Sequence, residues 1–307
     1  MTDAGEKADI FMSEPEAEEL RPRRKPGGRR PEVHAPEVNV EQSPQVLPEY
    51  SHRARPRVTV AGVDIDNVNA EETLSLIDRW LDSSTPRAMA VVNAAKVAAA
   101  TADEALRGAL KRAHLVTADG MSVVWASRLL GTPLPERVTG IDTFEDLMWR
   151  AASRGLSVYL LGARDESVAG VVARLESSHP KLRVAGFRNG YFSADEGEAV
   201  AKAIKESRAD LLFVAMGSPR QDIWIDSNLA ATGVRFALGV GGAFDHVSGI
   251  SRRAPRWMQR SGLEWMYRFL REPRRLWRRY LIGNSVFMWL VLKQLLFGDR
   301  PKPESVS

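Results

Sequence analysis

Cysteine is absent from all 307 residues. Disulfides, thiolate metal centres and nucleophilic cysteine chemistry are therefore excluded, and the composition suits a reducing compartment. Histidine is scarce. Of the five in the chain, His34 and His52 fall in an N-terminal stretch of biased composition, and His114, His179 and His246 have no metal-ligand spacing. No Asp-x-Asp pair stands at a glycine-bearing strand end, where a divalent ion would be held beside a diphosphate. Neither a metal nor a cofactor is expected. Met1 to Arg30 is charged throughout and lacks the apolar run of a secretory signal. The longest apolar stretch, Leu281 to Phe297, is shorter than the roughly 20 residues of a spanning helix and carries Asn284, Lys293 and Gln294. It can lie on a bilayer more readily than cross one.

What remains is organised unevenly. Net charge is +4 and the sequence pI about 9.4, but the basic residues are clustered. Residues 1–55, rich in Glu, Arg and Pro with a basic knot from Arg21 to Arg30, show no apolar periodicity and read as a disordered tail. From Arg57 onward short β-rich runs alternate with helical stretches, which predicts an α/β core over 56–250. Strands are expected at Arg57–Val60, Ala88–Asn93, Ser157–Gly162, Leu182–Gly186, Leu211–Gly217 and Phe236–Val240. Helices are expected at Glu71–Leu81, Glu104–Arg112, Ser122–Leu130, Thr143–Arg154, Glu166–Ser177, Ala194–Ser207 and Gln221–Ala230. Continuous apolar runs such as Leu211-Leu212-Phe213-Val214 belong to strands covered on both faces, so the sheet is doubly wound and mainly parallel. A second short tail is expected over 299–307.

Ligands of such sheets bind at the carboxyl ends of the strands, and glycines collect there. Leu160-Leu161-Gly162-Ala163-Arg164, Ala215-Met216-Gly217-Ser218-Pro219 and Leu238-Gly239-Val240-Gly241-Gly242 each end a strand. Bare backbone of this kind can donate N–H groups to phosphate oxygens, although tight turns also use glycine. Asp119, in Thr117-Ala118-Asp119-Gly120, follows a short apolar stretch and precedes a helix; it is a candidate general base or a helix N-cap. Asp245 faces a similar choice between binding a ligand and finishing a turn. Gln221 offers a donor and an acceptor at a helix start. Arg137 can grip a phosphate or carboxylate bidentately, or pair with Glu136 or Asp142 at the surface.

The stretch Arg252 to Arg279 is arginine-rich and interleaved with Trp257, Trp265, Tyr267, Phe269 and Trp277. Arg268, Arg271, Arg275, Arg278 and Arg279 recur at spacings of three and four, which predicts one helical face. A solvated helix does not need so much tryptophan. Nucleic acid would suit the mixture, but an anionic membrane surface also accounts for the apolar continuation from Val286 to Leu292. Residues 251–298 are therefore expected to form a membrane-binding helical appendage, without a nucleic-acid partner.

Several of these blocks carry a resemblance. Asn93; Ala118-Asp119-Gly120; Arg137-Val138-Thr139-Gly140; Gly190-Tyr191-Phe192; Gly217-Ser218-Pro219-Arg220-Gln221-Asp222; Gly239-Val240-Gly241-Gly242-Ala243-Phe244-Asp245; and Arg253-Ala254-Pro255-Arg256-Trp257 through Glu272-Pro273-Arg274-Arg275 together resemble the WecG/TagA/CpsF family, glycosyltransferase family 26. The resemblance implies a Rossmann-like core. It also implies inverting, metal-independent transfer of N-acetylmannosamine, its uronic acid or another hexuronic acid from UDP to a polyprenyl-diphosphate-linked saccharide, at the cytoplasmic face of a bacterial plasma membrane. By position, Asp119 matches the proposed base. Asn93, Arg137 and Gln221 match pocket residues, with Tyr191, Gly217, Gly241, Gly242 and Asp245 in the surrounding blocks. Arg268, Arg275 and Arg278 match arginines that meet the departing UDP. Two positions depart from the pattern: Val91 stands where the family often has Thr, and Asp222 where it usually has Glu. The rival readings are a nucleotide-dependent oxidoreductase, disfavoured because no G-x-G-x-x-G follows a strand, and a nucleic-acid-binding protein. Oligomeric state is not specified by the sequence.

Overall fold

A computed structural model describes residues 55–251, 254–255, 257–258, 264–271, 273–277 and 282–298. The expected tails, apart from Arg55, lie outside these residues, as does Arg278. The chain opens with a hairpin, β1 (Arg57–Val60) and β2 (Val63–Asp66), paired antiparallel. Its turn, Ala61-Gly62, has φ values of 50° and 81°, the left-handed pair that suits a two-residue hairpin loop. Asp66, 1% exposed, accepts hydrogen bonds from Arg57 Nε at 3.1 Å, Arg57 Nη2 at 3.2 Å and the Val116 amide at 2.7 Å. A buried carboxylate is tolerable when so fully partnered. Asp66 thus fastens the hairpin to the strand that carries Val116, whereas Asp64 accepts from the Thr59 hydroxyl within the hairpin.

After α1 (Ala70–Leu81) the chain alternates through β3 (Arg87–Val92), α2 (Ala94–Ala102), α3 (Glu104–Arg112), β4 (Leu115–Ala118), α4 (Met121–Leu129), α5 (Gly140–Arg154) and β5 (Ser157–Gly162). It continues through α6 (Asp165–Ser178), β6 (Arg183–Arg188), α7 (Gly197–Ser207), β7 (Leu211–Ala215), α8 (Arg220–Thr232), β8 (Phe236–Gly239) and α9 (Ala243–Val247). Six strands form one sheet in the order β4-β3-β8-β7-β5-β6, every pairing parallel. The doubly wound, Rossmann-like fold is as expected, and the expected strands fall within two residues of those observed.

The two-residue alternation of each strand divides the core. Met89, Val91, Leu160, Phe213 and Leu238 face α1, α5, α6 and α9, around Phe144, whose ring meets Phe213 edge-on at 4.9 Å. Ala90, Val92, Val116 and Ala118 face α2, α3 and α4, whereas Leu161, Leu212 and Val214 face α7 and α8. Sequence periodicity misses β4, α9, β2 and α2. The last is alanine-rich and mostly buried, so it shows no polar stripe.

The arginine-rich stretch is not one helix. It forms α10 (Glu264–Arg271) and α11 (Pro273–Trp277), because Pro273 has no N–H to continue a ladder and suits a first helical turn. The single arginine face expected from spacing is therefore divided between two short helices. The last helix, α12 (Gly283–Phe297), docks beside α2 and buries Phe287 and Val291. Gln294 accepts from the Ala61 amide at 2.7 Å and donates to the Thr59 carbonyl at 2.8 Å. Met288, Trp289, Leu292, Leu296 and Phe297 stay exposed. No helix of the described residues is long and apolar enough to cross a membrane.

Phe287→Ala is expected to cost about 3–5 kcal/mol in a urea titration, since it empties a core position. A loss below 1 kcal/mol would mean that α12 does not hold this part of the core.

Candidate active site

Parallel strands place their carboxyl ends, and the loops that follow, along one edge of the sheet. The connection after β5 runs to β6 on one side and the connection after β7 runs to β8 on the other, the arrangement that opens a crevice. The candidate residues line it in sheet order. Neighbouring strands lie about 4.8 Å apart, so the span from the end of β4 to the end of β7 is about 14 Å.

Asp119 follows β4, and its amide donates to the Val92 carbonyl at 2.8 Å. It does not cap its own helix; Gly120 is the N-cap of α4. Asp119 Oδ1 accepts instead from the Gly140 amide at 3.2 Å, so the carboxylate sits at the first turn of α5, where negative charge is favoured. Oδ2 has no hydrogen-bond partner among the described residues. Asn93 lies beside it, since a Cβ on Gly120 would come 3.2 Å from the Asn93 Cβ. The Asn93 Oδ1 caps α2 through the Lys96 amide at 3.1 Å, and its amide nitrogen has no hydrogen-bond partner among the described residues. Val91, at the position where a Thr is common in the family resembled, packs on Gly140 and into the core.

Gln221 is 2% exposed. Its Oε1 accepts from the Gly217 amide at 3.1 Å and the Gly241 amide at 3.0 Å. It therefore ties the loop after β7 to the loop after β8, and its acceptor is used by the fold. Gly217 and Gly241 have φ of 76° and 56°, a region glycine enters without strain. Gly242 is open, with nothing within 4 Å of an added Cβ. Asp245 Oδ1 accepts from the Ser167 hydroxyl at 2.8 Å, which joins α9 to α6. At the far end Gly190 packs against Gly162, where a Cβ would meet the Gly162 Cα at 3.0 Å. Tyr191 is exposed beside it.

Arg137 does not pair with Glu136 or Asp142. Its Nη1 donates to Glu264 Oε2 of α10 at 3.1 Å. Arg268 and Arg275 belong to α10 and α11.

Three features were not singled out from the sequence. Lys96 Nζ pairs with Asp222 Oδ1 at 2.9 Å, with side chains only 5% and 3% exposed; a lysine inside an alanine-rich apolar run was the available signal. Asp222 Oδ2 is buried without a partner among the described residues. Arg164, at the end of β5, has its guanidinium pKa raised, first by a side-chain hydrogen bond with Tyr191 and also by the fields of Glu166 and Asp245. Glu264 was invisible because its partner is distant in sequence.

Residues 58–301 match the model of the glycosyl transferase WecG/TagA/CpsF family. A protein of Bacillus subtilis (strain 168), named N-acetylglucosaminyldiphosphoundecaprenol N-acetyl-beta-D-mannosaminyltransferase, is 32% identical over 249 residues, covering 80% of this chain and 96% of its own. A protein of the same name from Bacillus spizizenii (strain ATCC 23059 / NRRL B-14472 / W23) is 36% identical over 192 residues, covering 62% of this chain and 73% of its own.

Lys96→Met would strand a buried carboxylate, and is expected to lower the unfolding free energy by about 3–5 kcal/mol; adding Asp222→Leu should recover most of it. Urea titration decides. A double variant as unstable as the single would assign the loss to something other than the charge pair.

Proposed function

The chain belongs to the WecG/TagA/CpsF glycosyltransferase family, and on that premise we propose that it moves an N-acetylmannosamine-type sugar or a hexuronic acid from UDP to a polyprenyl-diphosphate-linked saccharide. The names of the two Bacillus proteins support the acceptor class and the mannosaminyl donor. The observation that carries the chemistry is the placement of Asp119. Its Oδ1 is fixed by the Gly140 amide while Oδ2 has no partner among the described residues, which is the geometry of an oriented proton acceptor.

In the proposed reaction the acceptor hydroxyl oxygen attacks the anomeric carbon and passes its proton to Asp119. The anomeric C–O bond to the diphosphate breaks on the opposite face, and its electron pair leaves with UDP, so configuration inverts. Charge then accumulates on the β-phosphate. The proposed stabilisers are the backbone amides around Gly217, Gly241 and Gly242 and the appendage arginines Arg268, Arg275 and Arg278, so that no metal ion is needed. Asn93, Arg137, Gln221, Tyr191 and Asp245 are the proposed substrate-facing residues. Gln221 and Asp245 act partly through the loops they tie.

The acceptor's lipid tail calls for a membrane, and the proposed contact is the exposed apolar face of α12 together with the tryptophans at 257, 265 and 277. A helix docked by one face that still presents Met288, Trp289, Leu292, Leu296 and Phe297 suits insertion to headgroup depth. The proposed setting is peripheral, at the cytoplasmic face of a bacterial plasma membrane, in cell-envelope polysaccharide synthesis.

Asp119→Asn should lower kcat by about 10²–10⁴-fold with unchanged thermal stability; near-normal transfer would remove Asp119 from the base role. Trp289→Glu/Phe297→Glu should abolish binding to anionic liposomes and transfer to a long-chain lipid acceptor while sparing a water-soluble short-chain acceptor. Retained liposome binding would count against α12 as the contact.

A further inference from the structure

Glu264 is a carboxylate with only 8% of its surface exposed, although it opens a short helix outside the sheet. Its Oε2 takes Nη1 of Arg137 at 3.1 Å, and the two side chains are 11% and 16% exposed. The position of Arg137 gives the pair its significance. The next residue, Val138, donates its amide to the Ala118 carbonyl at 2.9 Å, and Gly140, three residues on, holds Asp119 Oδ1. The arginine therefore rides on the segment that orients the proposed base. A guanidinium has five N–H donors in a planar fork. Glu264 engages one nitrogen, and Nε and Nη2 of Arg137 have no hydrogen-bond partner among the described residues.

We propose that Glu264 is a positioning residue: by holding Nη1 it fixes the plane of the Arg137 fork, so that the remaining edge meets an anionic oxygen of the substrate, and it makes placement of α10 and binding of that anion mutually favourable. The identity of the anion, a diphosphate or a sugar carboxylate, rests on the function proposed above; the latch between Arg137 and α10 does not. Coupling of this kind is reciprocal. Whatever seats α10 presets Arg137, and an anion on Arg137 favours α10 in its seat. An ion pair at this depth is not an idle surface contact, because removing Glu264 leaves a mostly buried guanidinium without its carboxylate. The opposite reading is that Glu264 competes with substrate for the arginine, and it predicts effects of opposite sign.

The test uses the full chain and two readouts. In steady-state transfer with a UDP-sugar, Glu264→Ala should raise the donor KM and lower kcat/KM by roughly 10- to 100-fold, the size of a lost hydrogen bond to a charged group. Glu264→Gln, which keeps an acceptor oxygen, should fall between Glu264→Ala and the parent. A lower donor KM in either variant would establish competition and overturn the proposal. In native-state hydrogen exchange, Arg137→Ala should speed exchange of the α10 amides over 264–271 and leave β3 and β7 unchanged. Unchanged α10 protection would overturn the latch whatever the substrate. Faster α10 exchange in a protein inactive with every UDP-sugar would support the latch and count against the proposed function.

Discussion

An all-parallel ladder constrains everything else in this molecule. Six strands that run one way force each connection to cross a face of the sheet, so both faces are covered and both kinds of strand position are buried. Every strand also delivers the chain to the same edge before a helix carries it back. Asp119, Asn93, Gly241, Gly217 and Arg164 arrive at that edge from five different strands, and their side-by-side order follows the sheet rather than the sequence. The close approach of Gly190 to Gly162 and the Gln221 bridge between Gly217 and Gly241 are local solutions to crowding several loops into one row.

Crowding explains why candidate binding residues also serve the fold. Asn93 caps α2 with its oxygen, Gln221 spends its oxygen on two amides, and Asp245 takes the Ser167 hydroxyl. A helix cap and a ligand contact are not exclusive when one atom of an amide or carboxylate is fixed and the other is left over. Fixing one atom removes rotamer freedom before a ligand arrives, which is how a site is preorganised. Asp119 shows the pattern most simply: one oxygen takes the first amide of α5, whose N-cap is Thr139, and not an amide of the helix that follows it.

How much was legible in the sequence follows from which interactions are local. Strands such as Leu211–Ala215 announce themselves because burial on both faces demands an unbroken apolar run. The glycine-bearing strand ends were equally plain, and the family blocks located most of the candidate row. The helix Ala94–Ala102 was missed because an alanine-rich, mostly buried helix has no polar stripe to give it a period, and β2 because four residues with two aspartates look like a loop. The pairing of Arg137 with Glu264, and of Lys96 with Asp222, joins residues 127 and 126 positions apart. Only the folded chain brings such charges together. Spacing alone also merged α10 and α11 into one face, although Pro273 was there to divide them.

The clamp from Gln294 to the hairpin turn bears on how the protein is made. The two partners are 233 residues apart at Ala61 and Gln294, and the hairpin shares its apolar cluster with Phe287 and Val291. During synthesis the hairpin leaves the ribosome early, and that cluster has an unfilled side until the last helix follows. The hairpin therefore cannot reach its final packing until α12 has been made. A chain lacking residues 283–298 would leave the apolar seat of α12 on that cluster uncovered, and such exposed surface favours aggregation.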